Sequence, residues 1–95
     1  MNLNENESHR LLVKALLSLE SEADCDAFLE DLLTKKELSD MAQRLLVAKR
    51  LSELVVYSKI VEETGASTAT ISRVNRAFHY GTGGYAATLQ RIKDK

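Results

Sequence analysis

Arg73 and Arg76 stand three positions apart in the segment Ser67-Thr68-Ala69-Thr70-Ile71-Ser72-Arg73-Val74-Asn75-Arg76, where hydroxyls, a methyl group and guanidinium groups alternate with aliphatic residues. At about 100° per residue, Ile71, Val74 and Phe78 fall on one helical face, and Thr68, Ala69, Ser72, Arg73, Arg76 and His79 fall on the other. The second face is chemically suited to the edges of base pairs. Small residues let the backbone approach, Thr and Ala methyls match a thymine methyl, and arginine engages guanine or phosphate. The free N–H groups at the start of such a helix add a favourable phosphate position. The residues assigned to DNA are therefore Ser67, Thr68, Ala69, Thr70, Ser72, Arg73 and Arg76, with the first turn nearest the bases.

Other reactive groups are sparse. His9 and His79 lie far apart in the chain and lack the cysteine or carboxylate company of a zinc site, so no metal is expected. His79 reads as a solvated residue near a helix end. Cys25 is the single cysteine, which excludes an intrachain disulfide and a multi-cysteine metal site, and it reads as a small core-facing residue. Gly81-Thr82-Gly83-Gly84 has the glycine content of a phosphate loop, but no Lys-Ser/Thr follows and no strand precedes it. It reads as a hinge. No serine or aspartate sits in a nucleophile motif, and no catalytic residue or enzyme activity is expected.

The elements that must position the two-faced segment follow from its surroundings. Tyr57 to Thr64 reads as a two-turn helix ended by Gly65, a residue that takes positive φ without a Cβ penalty. Ala66 completes a tight turn and Ser67 is placed to cap the next helix, Thr68 to about His79. Ile60 lies five residues before Gly65, and Ile71 and Val74 lie six and nine after it. That order is required of a helix-turn-helix, here spanning roughly 57–78. Val61 stands where a very small residue is usual, and Thr64 where an aliphatic one is usual.

Upstream, Leu11, Leu12, Ala15, Leu16 and Leu19 predict a helix from after Ser8 to about Glu20. An acidic break follows, with Asp24 as the expected cap of a short helix carrying Phe28, Leu29, Leu32 and Leu33. Thr34-Lys35-Lys36-Glu37 fits a capping box and opens the longest helix, to about Leu54. Its apolar residues are Leu38, Met41, Ala42, Leu45, Val47, Leu51 and Leu54, widened by Leu46 and Ala48. An arc so broad needs burial on more than one side, and a partner subunit is the expected source. Leu54-Val55-Val56-Tyr57 could also form a strand, a reading rejected because no second strand exists to pair with it. A final helix over 85–93 puts Leu89 and Ile92 on one side. The fold class is all-α, about six helices with a helix-turn-helix, in a single domain over 1–95.

Ninety-five residues leave a fairly exposed core, a deficit that helical chains of this size often meet by dimerising. The net charge of −1 hides a strong asymmetry. Residues 1–34 carry two basic against eight acidic residues, net −6, and residues 35–95 carry eleven against six, net +5. Between Glu63 and Asp94 there is no acidic residue, while Arg73, Arg76, Arg91 and Lys93 fall in that stretch. A polyanion is repelled by the first third and attracted to the last. The polar N-terminus, MNLNENESHR, has neither a signal-peptide core nor a spanning run, so a cytoplasmic protein without a membrane role is expected.

Leu32-Leu33-Thr34, Arg44, and the block Glu63-Thr64-Gly65-Ala66-Ser67-Thr68-Ala69-Thr70-Ile71-Ser72-Arg73 together resemble the tryptophan repressor superfamily, in particular its YerC/YecD-type, trp-repressor-related group. The resemblance covers about residues 8–93 and is most specific between Gly65 and Arg73. It implies an all-helical, intertwined homodimer with one helix-turn-helix per subunit and a role in transcriptional regulation. Trp repressor is itself a standard example of this docking mode. The resemblance also implies an effector site at Leu33, Thr34, Arg44 and Arg73, whose two arginines could meet a carboxylate or a ring face. Two positions depart from the repressor pattern. Val74 stands where the repressors have glycine, and Ala77 where they have a ligand-contacting serine. The loop before Tyr57 is also one residue shorter. No cofactor is therefore expected, a tryptophan-like corepressor is doubtful, and the small-molecule effector is left unknown.

Two functions compete. The first is a homodimeric, sequence-specific transcription factor on double-stranded DNA. The second is a helical dimeric protein-protein interaction module without specific DNA binding, docking a partner through the acidic first third or the apolar long helix.

Overall fold

The computed structural model describes residues 5–93, which contain six α-helices and no strand. They are α1 (Glu5–Leu17), α2 (Glu22–Leu32), α3 (Lys35–Ser52), α4 (Tyr57–Thr64), α5 (Thr68–Tyr80) and α6 (Gly84–Lys93). The chain divides into two compact units, Met1–Lys35 and Lys36–Lys95. The all-α expectation is met, and the Leu54–Tyr57 run forms no strand.

In the first unit, α1 starts and stops earlier than its leucine spacing predicts. Glu5 and Glu7 favour the positive N-terminal end of the helix and extend it upstream of Ser8. At the other end, the Ser18 hydroxyl donates to the Ala15 carbonyl at 2.6 Å and the Ser18 N–H is shared between Lys14 and Ala15. That local bonding closes the helix before Leu19 and Glu20. The cap of α2 also differs from expectation. Ser21, not Asp24, is the N-cap, its hydroxyl accepting from the Asp24 N–H at 3.0 Å. The Asp24 carboxylate reaches back to the Glu20 N–H at 3.2 Å, so it serves the cap from inside the first turn. Neither helix holds a fully buried residue. Cys25, expected to face a core, is a free thiol and only half-buried.

The second unit is built around Val47 and Ala48 of α3, Ile60 of α4, Ala66 of the turn, and Ile71 and Val74 of α5, all buried. Leu51, Val55, Phe78, Tyr85 and Leu89 pack around that cluster. The helix α3 begins directly after Thr34, as the capping-box spacing predicts, but ends at Ser52 rather than Leu54. The Leu54 N–H bonds to the Leu51 carbonyl and the Val55 N–H to the Arg50 carbonyl, at 3.0 and 3.1 Å. This pair is a Schellman closure, which requires its central residue to be left-handed. Glycine normally fills that place; here Leu54 does, at φ 62. At the other end of α4, Gly65 closes the helix at φ 72 and donates to the Val61 carbonyl.

Candidate nucleic-acid interface

The turn between α4 and α5 is three residues, Gly65 to Ser67, and each has an identifiable job. Gly65 supplies the left-handed residue that ends α4. Ala66 is buried under the turn, and its N–H donates to the Thr64 hydroxyl at 3.1 Å. That hydroxyl donates in turn to the Ile60 carbonyl at 2.7 Å. Thr64 therefore replaces an aliphatic residue with a side chain that satisfies the helix end. Ser67 caps α5, accepting from the Thr70 N–H at 3.1 Å and donating to the Thr70 hydroxyl at 3.0 Å.

The two faces of α5 separate as the spacing predicts. Ile71 and Val74 are 0% and 2% exposed, and Phe78 packs against the same core. Thr68, Ala69, Ser72, Arg73, Arg76 and His79 are exposed. Two of the seven sequence-assigned residues have prior engagements. The Ser67 and Thr70 hydroxyls bond to each other, and Thr70 is half-buried. The other five, Thr68, Ala69, Ser72, Arg73 and Arg76, stand on one open face that begins at the helix N-terminus. This arrangement offers methyls, hydroxyls and guanidinium groups to a groove, with helix N–H groups aimed at an anion.

The residues of the expected effector site fall in both compact units, Leu33 and Thr34 in the first and Arg44 and Arg73 in the second. Leu33 is the C-cap of α2 and half-buried, and Thr34 follows it, exposed, in the link to α3. Arg44 on α3 and Arg73 on α5 do meet, at a cavity of about 290 Å³. Its other lining residues are Lys36, Asp40, Gln43, Thr70 and Val74. The Lys36 ammonium and the Asp40 carboxylate pair at 2.9 Å. Val74, with its side chain committed to the core, is the only apolar residue in the lining. The cavity offers cations to an acidic group.

Sequence reasoning missed the polar links that hold α4 on α3. Gln43 Nε2 donates to the Thr64 carbonyl at 3.1 Å, and Arg50 Nε donates to Glu63 at 2.7 Å. Arg50 also donates to Glu53 at 2.9 Å, and Lys49 pairs with the same carboxylate at 2.9 Å. The Glu63 and Glu53 carboxylates together hold the Arg50 guanidinium above its usual range, and Lys49 followed by Arg50 holds the Glu53 carboxyl below the ordinary glutamate value. The Lys49–Glu53 spacing is visible in the sequence as an i,i+4 pair. The Arg50–Glu63 link spans 13 residues and has no periodic signature. Among the described residues, no group of His, Cys, Asp and Glu could hold a metal ion, and no helix is long and apolar enough to cross a membrane.

Residues 7–93 match the family model for the Trp repressor protein, and the chain belongs to that family. It is a family of helical DNA-binding regulators, not of enzymes. The uncharacterized protein YerC of Bacillus subtilis (strain 168) is 48% identical over 83 residues, covering 87% of this chain and 80% of that protein. The crystal structure of a TrpR-like protein from Eubacterium eligens is similar with a TM-score of 0.90 at 43% identity, covering 94% of this chain and 92% of the other. A proposed Trp repressor from Staphylococcus aureus is similar with a TM-score of 0.88 at 39% identity, covering 94% of this chain and 89% of the other.

Proposed function

We propose that this protein is a cytoplasmic, homodimeric transcriptional regulator that binds a specific double-stranded DNA sequence through α5 and catalyses no reaction. The observation that carries the reading is the separation of α5 into a face sealed in the core by Ile71 and Val74 and an open face of Thr68, Ala69, Ser72, Arg73 and Arg76. The absence of carboxylates between Glu63 and Asp94 leaves that open face attractive to a polyanion. Thr68, Ala69 and Ser72 read base edges, Arg73 and Arg76 contact guanine or phosphate, and Ser67 and Thr70 shape the helix start. Residues 1–95 act as one regulatory domain in this reading.

The dimer is supported by the apolar side chains that this subunit leaves uncovered. Met41 and Leu45 of α3 are each about two-fifths exposed and Ile92 of α6 about half. A second copy placing its α5 on the next major groove, one helical turn away, covers that surface and doubles the readout. A tryptophan-like corepressor is disfavoured, because the space between Arg44, Arg73 and Val74 is lined mainly by polar and charged residues, and the effector is left open. Selection from a random-sequence duplex library is the deciding experiment. Enrichment of one near-palindromic motif supports specific readout. Uniform recovery of all sequences, together with a protein partner retained by Arg73→Ala after nuclease treatment, favours the interaction-module reading instead.

A further inference from the structure

We propose that Arg50 is the positioning residue that sets the angle at which α4, and with it the open face of α5, leaves α3; the inference rests on the DNA-binding reading for its functional consequence and on geometry alone for its structural one. Arg50 bonds both to the approach to α4 and to its last turn. Its backbone carbonyl accepts from the Val55 N–H, directly after the left-handed Leu54, and so fixes where the chain departs from α3. Its guanidinium crosses to Glu63 in the last turn of α4, 13 residues away, at 2.7 Å. One residue thus ties the link that leads into the helix to the helix's last turn.

The guanidinium is itself held in place. Its Nη1 donates to Glu53 at 2.9 Å, and Lys49 steadies that carboxylate from the preceding turn, also at 2.9 Å. An isolated surface ion pair orients little, since solvent and side-chain entropy compete with it. This one differs in two respects. The Arg50 and Glu63 side chains are 30% and 33% exposed, and the planar guanidinium is committed to two carboxylates in a fork that a lysine could not reproduce. The second tie, from Gln43 to the Thr64 carbonyl, lies two helical turns earlier on α3, so rotation of α4 about either contact is opposed by the other. A glycine at position 54 would leave this junction freer; the leucine, left-handed and nearly fully exposed, stiffens it.

The test compares Glu63→Gln with Glu53→Gln. Each removes one carboxylate partner of Arg50 and raises the net charge by one, so a purely electrostatic role predicts equal and tighter DNA binding for both. Only Glu63→Gln cuts the link between α3 and α4. Affinity for the best selected duplex, measured by fluorescence anisotropy at fixed salt, is expected to fall about threefold to fivefold in Glu63→Gln and by less in Glu53→Gln, which loosens the fork but keeps the α3–α4 link. Thermal melting of both variants confirms that each is folded. A second readout needs no DNA: nitroxide labels at Ser39→Cys and His79→Cys, in a Cys25→Ala background and diluted with unlabelled protein, report the distance from α3 to α5. Glu63→Gln is expected to broaden that distribution, and Glu53→Gln to broaden it less. A distribution unchanged by Glu63→Gln overturns the inference whether or not DNA binds. A broadened distribution in a protein that binds no duplex supports the clamp and counts against the regulator reading alone.

Discussion

The Gln43 side-chain amide donates to the Thr64 carbonyl at 3.1 Å, joining the middle of α3 to the last turn of α4 across 21 residues. That carbonyl is one of the four at a helix C-terminus that have no partner within the helix. The bond therefore closes α4 and anchors the helix-turn-helix in one contact. Gln43→Leu is expected to destabilise the protein by about 1 kcal/mol, seen as a lower midpoint in thermal or urea melts. A midpoint equal to the parent's means water replaces the amide without loss.

Two of the positive-φ positions, Gly65 and Leu54, respond in opposite directions. Gly65→Ala puts a Cβ at φ 72 and should cost about 1 kcal/mol. Leu54→Gly relieves a strained φ of 62 at a side chain that is 90% exposed, and should stabilise by about 0.5 to 1 kcal/mol. Chemical denaturation of both variants checks the signs. Loss of stability in Leu54→Gly is evidence that the leucine side chain has an apolar partner in the assembled protein.

Arg73→Ala and Arg76→Ala are expected to weaken binding to the selected duplex by about tenfold each. If the contact is to phosphate, the slope of log K against log salt also falls by about one, and affinity drops evenly across sequences. If it is to a base, preference relaxes at one position of the site. Footprinting and a salt titration separate the two. Unaltered affinity in both variants removes α5 from the interface.

Leu45 is 41% exposed on a face that the proposed second copy covers. Leu45→Glu is expected to shift the protein to monomer in sedimentation equilibrium, because an unpaired carboxylate is costly to bury. A dimer of undiminished strength places the interface elsewhere.

Acidification acts on the α3–α4 network through Glu53, whose carboxyl is held below its ordinary value by Lys49 and then Arg50. A group depressed in the folded state contributes above its unfolded pKa and loses that contribution as pH falls through the folded one. Stability should therefore decline as pH drops through and below the usual glutamate range, and Glu53→Gln should decline less. Parallel pH profiles of melting midpoint for the two proteins would show that the depression has no stabilising effect.

Local pattern carried much of this molecule. The 3.6-residue spacing of Ile71, Val74 and Phe78 announced the buried face of α5, and Gly65 and Ser67 marked the turn, since each acts on its immediate neighbours. Where two candidates of similar propensity stand close together, spacing does not choose between them: Ser21 and Asp24 are both good caps, and the bonds they make decide. The helix α3 closes two residues before its apolar stripe ends, because Leu54 continues the stripe while its backbone has already turned left-handed.

What the amino-acid order settled unaided was the set of helices, the polarity of α5 and the charge imbalance between the two ends of the chain. Those properties arise from neighbours within a turn or two, where periodicity and capping chemistry operate. Only the tertiary structure decided that Arg50 reaches Glu63, that Gln43 closes α4, and that Arg44 and Arg73 line one polar cavity. These pairings join residues distant in sequence, and their partners are chosen by helix packing geometry, which no local spacing encodes.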